Sequence, residues 1–345
     1  MVIKSKYKIY FLSLICILLV LIFSLSLYLY KKNNSKSLEV SKQGFLLDTV
    51  IDIKIFDSEN KDLLDEAFSL CSFYENLLSK TIEDSDIHRL NNSGTDGYKV
   101  HNETLNVIKK GLYYSEISKG AFDITIEPIG ALWNFKDSKK EIPNKKEIEK
   151  NLKQVNYKDI EIIDNTVRFR KENMSIDLGA IAKGYIADRL KDYLEGKGVK
   201  SGIINLGGNI LCIGSHKNGN KFKIGVQKPF EARGESIGAL SISDKSIVSS
   251  GIYERYFEKN GKIYHHILNP FNGYPYDNNV SQVTIVSDKS VDGDGLSTVC
   301  LALGEKKGID LINSLDGVDG IFVTKKGEVI FSNNFKGNTE FLLGE

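Results

Sequence analysis

Cysteine is scarce in this chain: there are four in 345 residues, and none falls in a C-x-x-C spacing. Cys16 lies in an apolar N-terminal run, while Cys71, Cys212 and Cys300 are dispersed among apolar neighbours. That distribution fits buried thiols and speaks against a disulfide framework, a thiolate zinc site or thiol chemistry. A surplus of one charge is also missing, since 46 Lys and Arg face 45 Asp and Glu. Residues 1–36 hold six lysines and no acid, which leaves 40 basic against 45 acidic residues in the remainder. A mildly acidic body without a basic stripe is a poor partner for nucleic acid. No Pro-, Gly- or Ser-rich linker divides residues 40–345, so one domain is the simplest partition, with 37–345 as the body and 1–36 as an appendage.

The appendage carries the one long hydrophobic run. From Ile9 to Tyr30 no residue is charged; Lys4, Lys6 and Lys8 precede the run and Lys31 and Lys32 follow it. About 20 apolar residues span a bilayer, so a transmembrane helix is expected over 9–30. A cleaved signal peptide shares the positive start and apolar middle. The uncleaved anchor is favoured because the run is long, ends in bulky Tyr28, Leu29 and Tyr30, and lacks a small-x-small cleavage pattern. Ile15 before Cys16 disfavours lipidation. Lysines flank the run nearly equally, and the positive-inside rule favours the N-terminus in the cytoplasm, with the body outside it.

Within the body the hydrophobic period switches between two and three to four. Ile51, Ile53 and Ile55 alternate with Asp52 and Lys54, predicting a strand over 50–56. Leu63, Ala67, Leu70, Tyr74 and Leu77 predict a helix over 62–78. Further helices are expected over 103–117 and 144–154. Strands are expected at 160–163, 167–170, 203–206, 210–213, 221–226, 246–249 and 282–286, with a closing hairpin over 320–332. Without a regular strand–helix repeat, the fold class is α+β with mixed or antiparallel sheets and packed helices.

Several polar constellations stand out, and each has a bland alternative. Ile176-Asp177-Leu178-Gly179-Ala180-Ile181-Ala182-Lys183-Gly184-Tyr185 reads as a strand giving way to a helix, suited to a phosphate-bearing ligand. Its glycines could equally serve tight turns, and Lys183 could be a solvated helix residue. Asp294 and Thr298, at i and i+4, suit Mg²⁺, although Asp294 taken locally is better read as a helix cap. Tyr264-His265-His266-Ile267-Leu268-Asn269-Pro270 describes a well-fixed loop in which at most one histidine faces a site. Gly120-Ala121-Phe122-Asp123-Ile124-Thr125-Ile126-Glu127-Pro128 places a carboxylate in an apolar loop, and Asn205-Leu206-Gly207-Gly208-Asn209 ends a strand in a double glycine.

Taken in order, the blocks GAFDITIEP with LWNF, IDLGAIAKGYIADRL, NLGGNI, SSGIYERYF, YHHILNPFNGYP and DGLSTVCLALG make the chain similar to the ApbE family of flavin transferases over residues 44–313. The resemblance implies a T-fold-like, extracytoplasmic, Mg²⁺-dependent enzyme. It would split the pyrophosphate of FAD, transfer FMN to a threonine hydroxyl of a target protein and release AMP. It further implies flavin contacts at Ala121, Phe122, Asp123, Asp177, Lys183 and the backbone at Leu268. The metal positions implied are the carbonyl of Ala180 with Asp294, Ser297 and Thr298, and the general base is His266. The acceptor would be a membrane redox-complex subunit.

The chain departs from the family pattern at two of the implied cofactor positions and in the histidine block. Leu47 stands where a flavin-contacting methionine is usual, Thr81 where an aromatic partner is usual, and Asn269-Pro270 where Asp-Pro is usual. Two other functions compete with flavin transfer: an FAD pyrophosphatase using water as acceptor, and a non-enzymatic flavin-binding protein at the membrane.

Overall fold

A computed structural model describes residues 17–26, 38–133, 135, 140–216, 218–333, 335 and 340–343. The chain divides into two units, Met1–Leu38 and Glu39–Glu345. In the first unit residues 17–26 are helical and exposed, and the remainder of the predicted 9–30 span lies outside the described residues. Among the described residues no helix is long and apolar enough to cross a membrane.

The second unit is built on an eight-stranded sheet in the order β1 (Val40–Leu46), β2 (Thr49–Ile55), β6 (Ser201–Leu206), β7 (Asn209–Gly214), β10 (Ser246–Gly251), β13 (Val280–Ser287), β14 (Asp319–Thr324) and β15 (Val329–Phe331). Every neighbouring pair is antiparallel, in keeping with the α+β expectation. The two-residue side-chain period divides the core. Ile204, Leu211, Ile213, Val283, Ile285 and Phe322 face one way, into a cluster with helices α1 (Asp62–Leu78), α6 (Ala182–Gly196) and α7 (Ser290–Leu303). Cys212, Ile247, Val286 and Ile321 face the other way, against Phe222, Ile224, Val226, Leu240 and Ile242. Those partners belong to β8 (Phe222–Gln227) and β9 (Ser236–Ile242), which form a three-stranded sheet with β16 (Glu340–Leu343). Strand β13 is buried along its whole length because both faces are covered.

A third, aromatic cluster holds Ile129, Trp133, Ile148, Phe257 and Leu268. Trp133 stacks on Tyr264 at 5.7 Å between centroids and donates its indole N–H to the carbonyl of Gly273 at 2.7 Å. A methyl on Gly273 would meet Ile148 at 2.4 Å, so a glycine is needed where this loop closes on the helix Lys145–Asn151. The loop after His266 is therefore clamped at its far end.

Two local expectations change. Residues 174–178 form no strand; instead the side chain of Asn91 brackets Ile176, accepting its N–H at 2.8 Å and donating to its carbonyl at 2.9 Å, while Asp177 N–H donates to Ile124 O at 2.8 Å. An asparagine side chain thus supplies the pairing that a neighbouring strand would have supplied. Gly184 meets a packing requirement. It sits where α6 crosses α7, and a Cβ there would lie 2.4 Å from Ser290 O and 2.7 Å from Val291 Cα. Because both obstacles are backbone, Gly184→Ala should cost about 1–3 kcal/mol as an overpacked interface, visible as a lower urea midpoint with an unchanged m-value.

Candidate active site

Helices α6 and α7 exchange carboxylates at their N-termini. Asp188 of α6 accepts the N–H groups of Ser290 and Val291 at 2.8 and 3.0 Å, and Asp294 of α7 accepts the N–H of Gly184 at 2.8 Å. Each acid satisfies donors that the partner helix cannot satisfy itself. The cap reading of Asp294 fails for this reason: α7 begins at Ser290, so Asp294 lies in its second turn, and the cap is the distant Asp188. Burial pushes the Asp188 carboxyl up despite the two N–H donors and Lys289.

The expected metal positions gather at this crossing. Asp294 is 5% exposed. Ser297 is fully buried, its hydroxyl donating to the Asp294 carbonyl at 2.9 Å and lying 2.8 Å from that of Ser250. Thr298 is half-buried, with its hydroxyl 3.1 Å from the same Ser250. With its N–H turned to Asp294, Gly184 makes no bond to the Ala180 carbonyl, and no other described backbone N–H does. Among the described residues no cluster of three or more His, Cys, Asp or Glu side chains could hold a metal. One carboxylate, hydroxyls and a carbonyl fit a hard cation that keeps several waters, as Mg²⁺ does.

Asp177 lies three residues before Ala180, and its two oxygens are separately engaged. Oδ1 accepts Gly179 N–H at 2.7 Å and Oδ2 accepts Lys80 Nζ at 2.8 Å. Lys80 also donates to Glu127. Burial opposes the Asp177 charge, but Lys80, the Gly179 N–H and Lys183 hold its carboxyl below the usual range. Glu127 moves the other way, pushed up by burial and by the charge of Asp177. Lys183 is half-buried and donates to Gly179 O at 3.1 Å.

The remaining flavin positions divide. Asp123 spends its carboxylate on structure: Oδ1 accepts from Thr125 N–H and Oγ, at 2.8 and 2.6 Å, and Oδ2 from Tyr157 N–H at 2.9 Å. Phe122 packs into the core against Tyr114, and the Ala121 carbonyl accepts Tyr276 OH at 2.7 Å. Leu268 is buried and pairs by a bridge with Pro275. Leu47 and Asp48, both at positive φ, turn the β1–β2 hairpin, and Leu47 N–H donates to Glu75 at 2.8 Å. Asp48 reaches Arg255 at 3.4 Å, which ties that turn to the histidine loop. Thr81 is exposed and bonded only within its own turn, to Ser79, so no ring stands at that position.

The two histidines separate as strand geometry requires. His265 is buried, with Nε2 2.9 Å from Tyr276 O and Nδ1 accepting Ile267 N–H at 3.3 Å. His266 points Nδ1 at Arg255 O, 3.3 Å away, and that carbonyl also accepts the His266 N–H at 3.1 Å. A carbonyl only accepts, so Nδ1 carries the proton and Nε2 of neutral His266 is free to take another. Burial lowers both pKa values to about 4, and for His266 the charges of Arg255 and Lys183 act in the same direction.

Lys80, Glu127 and Ser250 were not singled out from the sequence. Lys80 had one available signal: it is a lysine between two hydroxyl residues at the end of an apolar helix.

Hard oxygen donors at the helix crossing, together with Lys183 of α6 and the neutral imidazole of His266, suit metal-assisted transfer chemistry on a phosphate ester. The chain belongs to the ApbE family, whose model matches residues 47–322. It is similar to the FAD:protein FMN transferase of Klebsiella pneumoniae (strain 342), at 36% identity over 297 residues covering 85% of this chain and 92% of the relative. The FAD:protein FMN transferase of Treponema pallidum is 29% identical, covering 83% of this chain and 84% of its own. Among solved structures, the flavin transferase ApbE from Vibrio cholerae superposes with a TM-score of 0.79 at 25% identity, covering 88% of this chain and all of its own. The ApbE protein from Thermotoga maritima also gives 0.79, at 29% identity over 86% and 98% of the two chains.

Because the folded pKa of His265 is depressed while the unfolded chain takes up its proton near 6.5, stability is complete above that pH and lost as pH falls toward 4. Between pH 7 and pH 4.5 His265 should contribute about 2 kcal/mol to the stability lost in urea unfolding, so a His265→Gln variant should lose less than the parent by about that amount, the depressed His266 still contributing in both. In proton NMR the His266 ring should titrate near 4 and stay neutral from pH 6 to 8.

Proposed function

We propose that this chain transfers FMN from FAD to a threonine hydroxyl of an acceptor protein, with release of AMP and with Mg²⁺ as cofactor. The observation that carries the reading is the diversion of Gly184 N–H to the buried carboxylate of Asp294, which leaves the Ala180 carbonyl without a hydrogen-bond donor among the described residues. The names of the relatives agree with the transfer. Mg²⁺ held by Asp294, Thr298 and the Ala180 carbonyl, with Ser297 supporting Asp294 from behind, would neutralise charge on the pyrophosphate oxygens.

The protein's own part is positioning and one proton. Lys183 adds a point charge for the phosphates. His266 receives the threonine proton at Nε2 while its Nδ1–H stays on the Arg255 carbonyl. A group with a pKa of about 4 is a weak base, but an anionic pyrophosphate would offset the Lys183 charge that helps depress it. Asp177, the backbone of residues 121–123 and the Leu268 loop would hold the flavin nucleotide. The hairpin turn at Leu47 and the turn at Thr81 would border it without an aromatic partner. We further propose that residues 9–30 anchor the enzyme, with the catalytic unit outside the cytoplasm and its acceptor a membrane redox-complex subunit.

Incubation with FAD, Mg²⁺ and an acceptor protein tests the reading. Covalent flavin fluorescence on the acceptor in a denaturing gel is expected. Equimolar free FMN and AMP without labelling would identify a hydrolase, and intact FAD a flavin-binding protein. Asp294→Ala should lower the transfer rate at least about a hundredfold, and His266→Ala by about a hundredfold or more; full activity in either variant removes that residue from the mechanism.

A further inference from the structure

Three separate stretches meet at one ammonium group. Lys80 sits in the turn after α1, a turn held by Ser79, whose hydroxyl accepts the N–H groups of Thr81 and Ile82 at 3.1 and 3.3 Å and whose carbonyl accepts the Ser85 hydroxyl. From there Lys80 donates to Glu127, 47 residues on, and to Asp177, 97 residues on. The turn carries Thr81, the second stretch follows Ala121–Asp123, and the third leads to Ala180 and Lys183. Every stretch therefore carries one of the positions read as flavin contacts.

We propose that Lys80 is a positioning residue for Asp177: it fixes the rotation of that carboxylate and keeps it an acceptor for an N–H or O–H donor of the flavin nucleotide. The inference rests on the reading of Asp177 as a flavin contact.

Charge separates positioning from direct ligand binding. One lysine against two carboxylates leaves the cluster net negative, so it is no anion site, and the phosphates are better placed near Lys183. Geometry then restricts Asp177. A carboxylate has about four lone-pair positions, and Lys80 and Gly179 N–H take one on each oxygen, which freezes the group and leaves one on each for a ligand donor. The side chains of Lys80 and Asp177 are 34% and 32% exposed, and that of Glu127 is 17% exposed, so the cluster is open on the Asp177 side. Glu127 and Asp177 share the one Lys80 ammonium. Without the lysine the two carboxylates would face each other directly, and either Asp177 would take up a proton or the pair would swing apart.

The test measures FAD affinity of the full-length chain by flavin fluorescence with EDTA present, which removes turnover, and kcat/KM with Mg²⁺. Lys80→Met should weaken FAD binding about tenfold, the scale of one misplaced hydrogen bond to a charged group. Lys80→Arg should recover most of the loss. The double variant Lys80→Met/Glu127→Gln should recover it as well, because the amide removes the like charge and can donate to Asp177 Oδ2. If Asp177→Asn loses FAD while Lys80→Met keeps wild-type affinity, the positioning role is overturned. A double variant as weak as, or weaker than, Lys80→Met would reduce Lys80 to a structural staple and also overturn it. If Asp177→Asn binds FAD normally, the flavin reading of Asp177 itself fails and takes the inference with it.

Discussion

The reciprocal carboxylates between α6 and α7 are the contact on which the site depends. Two helix N-termini carry partial positive charge, and bringing them within van der Waals contact at Gly184 and Ser290 is unfavourable unless negative charge lies between them. Asp188 and Asp294 supply it, each from beyond the first turn of its own helix and each bonded to the first turn of the other. The absence of a side chain at Gly184 allows the approach, and the approach places Asp294 beside residues 180–184. Fold stability and the proposed cation site thus share one acid, Asp294. Buried acids of this kind are costly when orphaned, which ties the geometry of the crossing to its own hydrogen bonds.

A second, independent clamp sets the histidine. The loop from His265 to Tyr276 is held at one end by β12 (Lys262–His265), pairing with β11 (Tyr256–Lys259), and at the other by the Trp133 indole on Gly273. Tyr276 N–H donates to Ile267 O at 3.0 Å, and its hydroxyl reaches Ala121. One tyrosine therefore joins the GAFD stretch to the His-Ile-Leu-Asn-Pro stretch, and His265 is consumed as the post on its carbonyl. The adjacent residue is left to face outward, which explains a pair of histidines with one chemical role between them.

Much of this was legible in the sequence where one physical signal dominated. The helix over 62–78 coincides with α1 because a clean apolar stripe admits no other period, and Ile51, Ile53 and Ile55 are all fully buried as alternation required. The strand at 236–242 has no clear sequence signal because its Ser and Gly residues dilute the alternation that its burial pattern follows. The helix start before Asp294 was misplaced for a different reason. Ser290-Val291-Asp292-Gly293-Asp294 offers several local caps, and the one used, Asp188, is 102 residues away. Lys80 offers only its place between two hydroxyl residues for a related reason: its partners lie 47 and 97 residues distant, and no local pattern encodes an ion pair closed by tertiary packing.

Charge accounting across the site then bears on why a cation is needed at all. On the proposed reading the ligand brings a dianionic pyrophosphate to a region where Lys183 contributes one positive charge and Asp294 one negative charge. The imidazole of His266 is neutral, held so by burial and by Arg255 and Lys183. Lys80 cannot assist, since two carboxylates already outweigh it. With Arg255 paired to Asp48, the side chains leave the pyrophosphate uncompensated, and unneutralised charge is most costly where burial lowers the local dielectric. A divalent ion on Asp294, Thr298 and the Ala180 carbonyl would supply what is missing, and it would do so at the crossing where a hydrogen bond between helices has already left a carbonyl unclaimed.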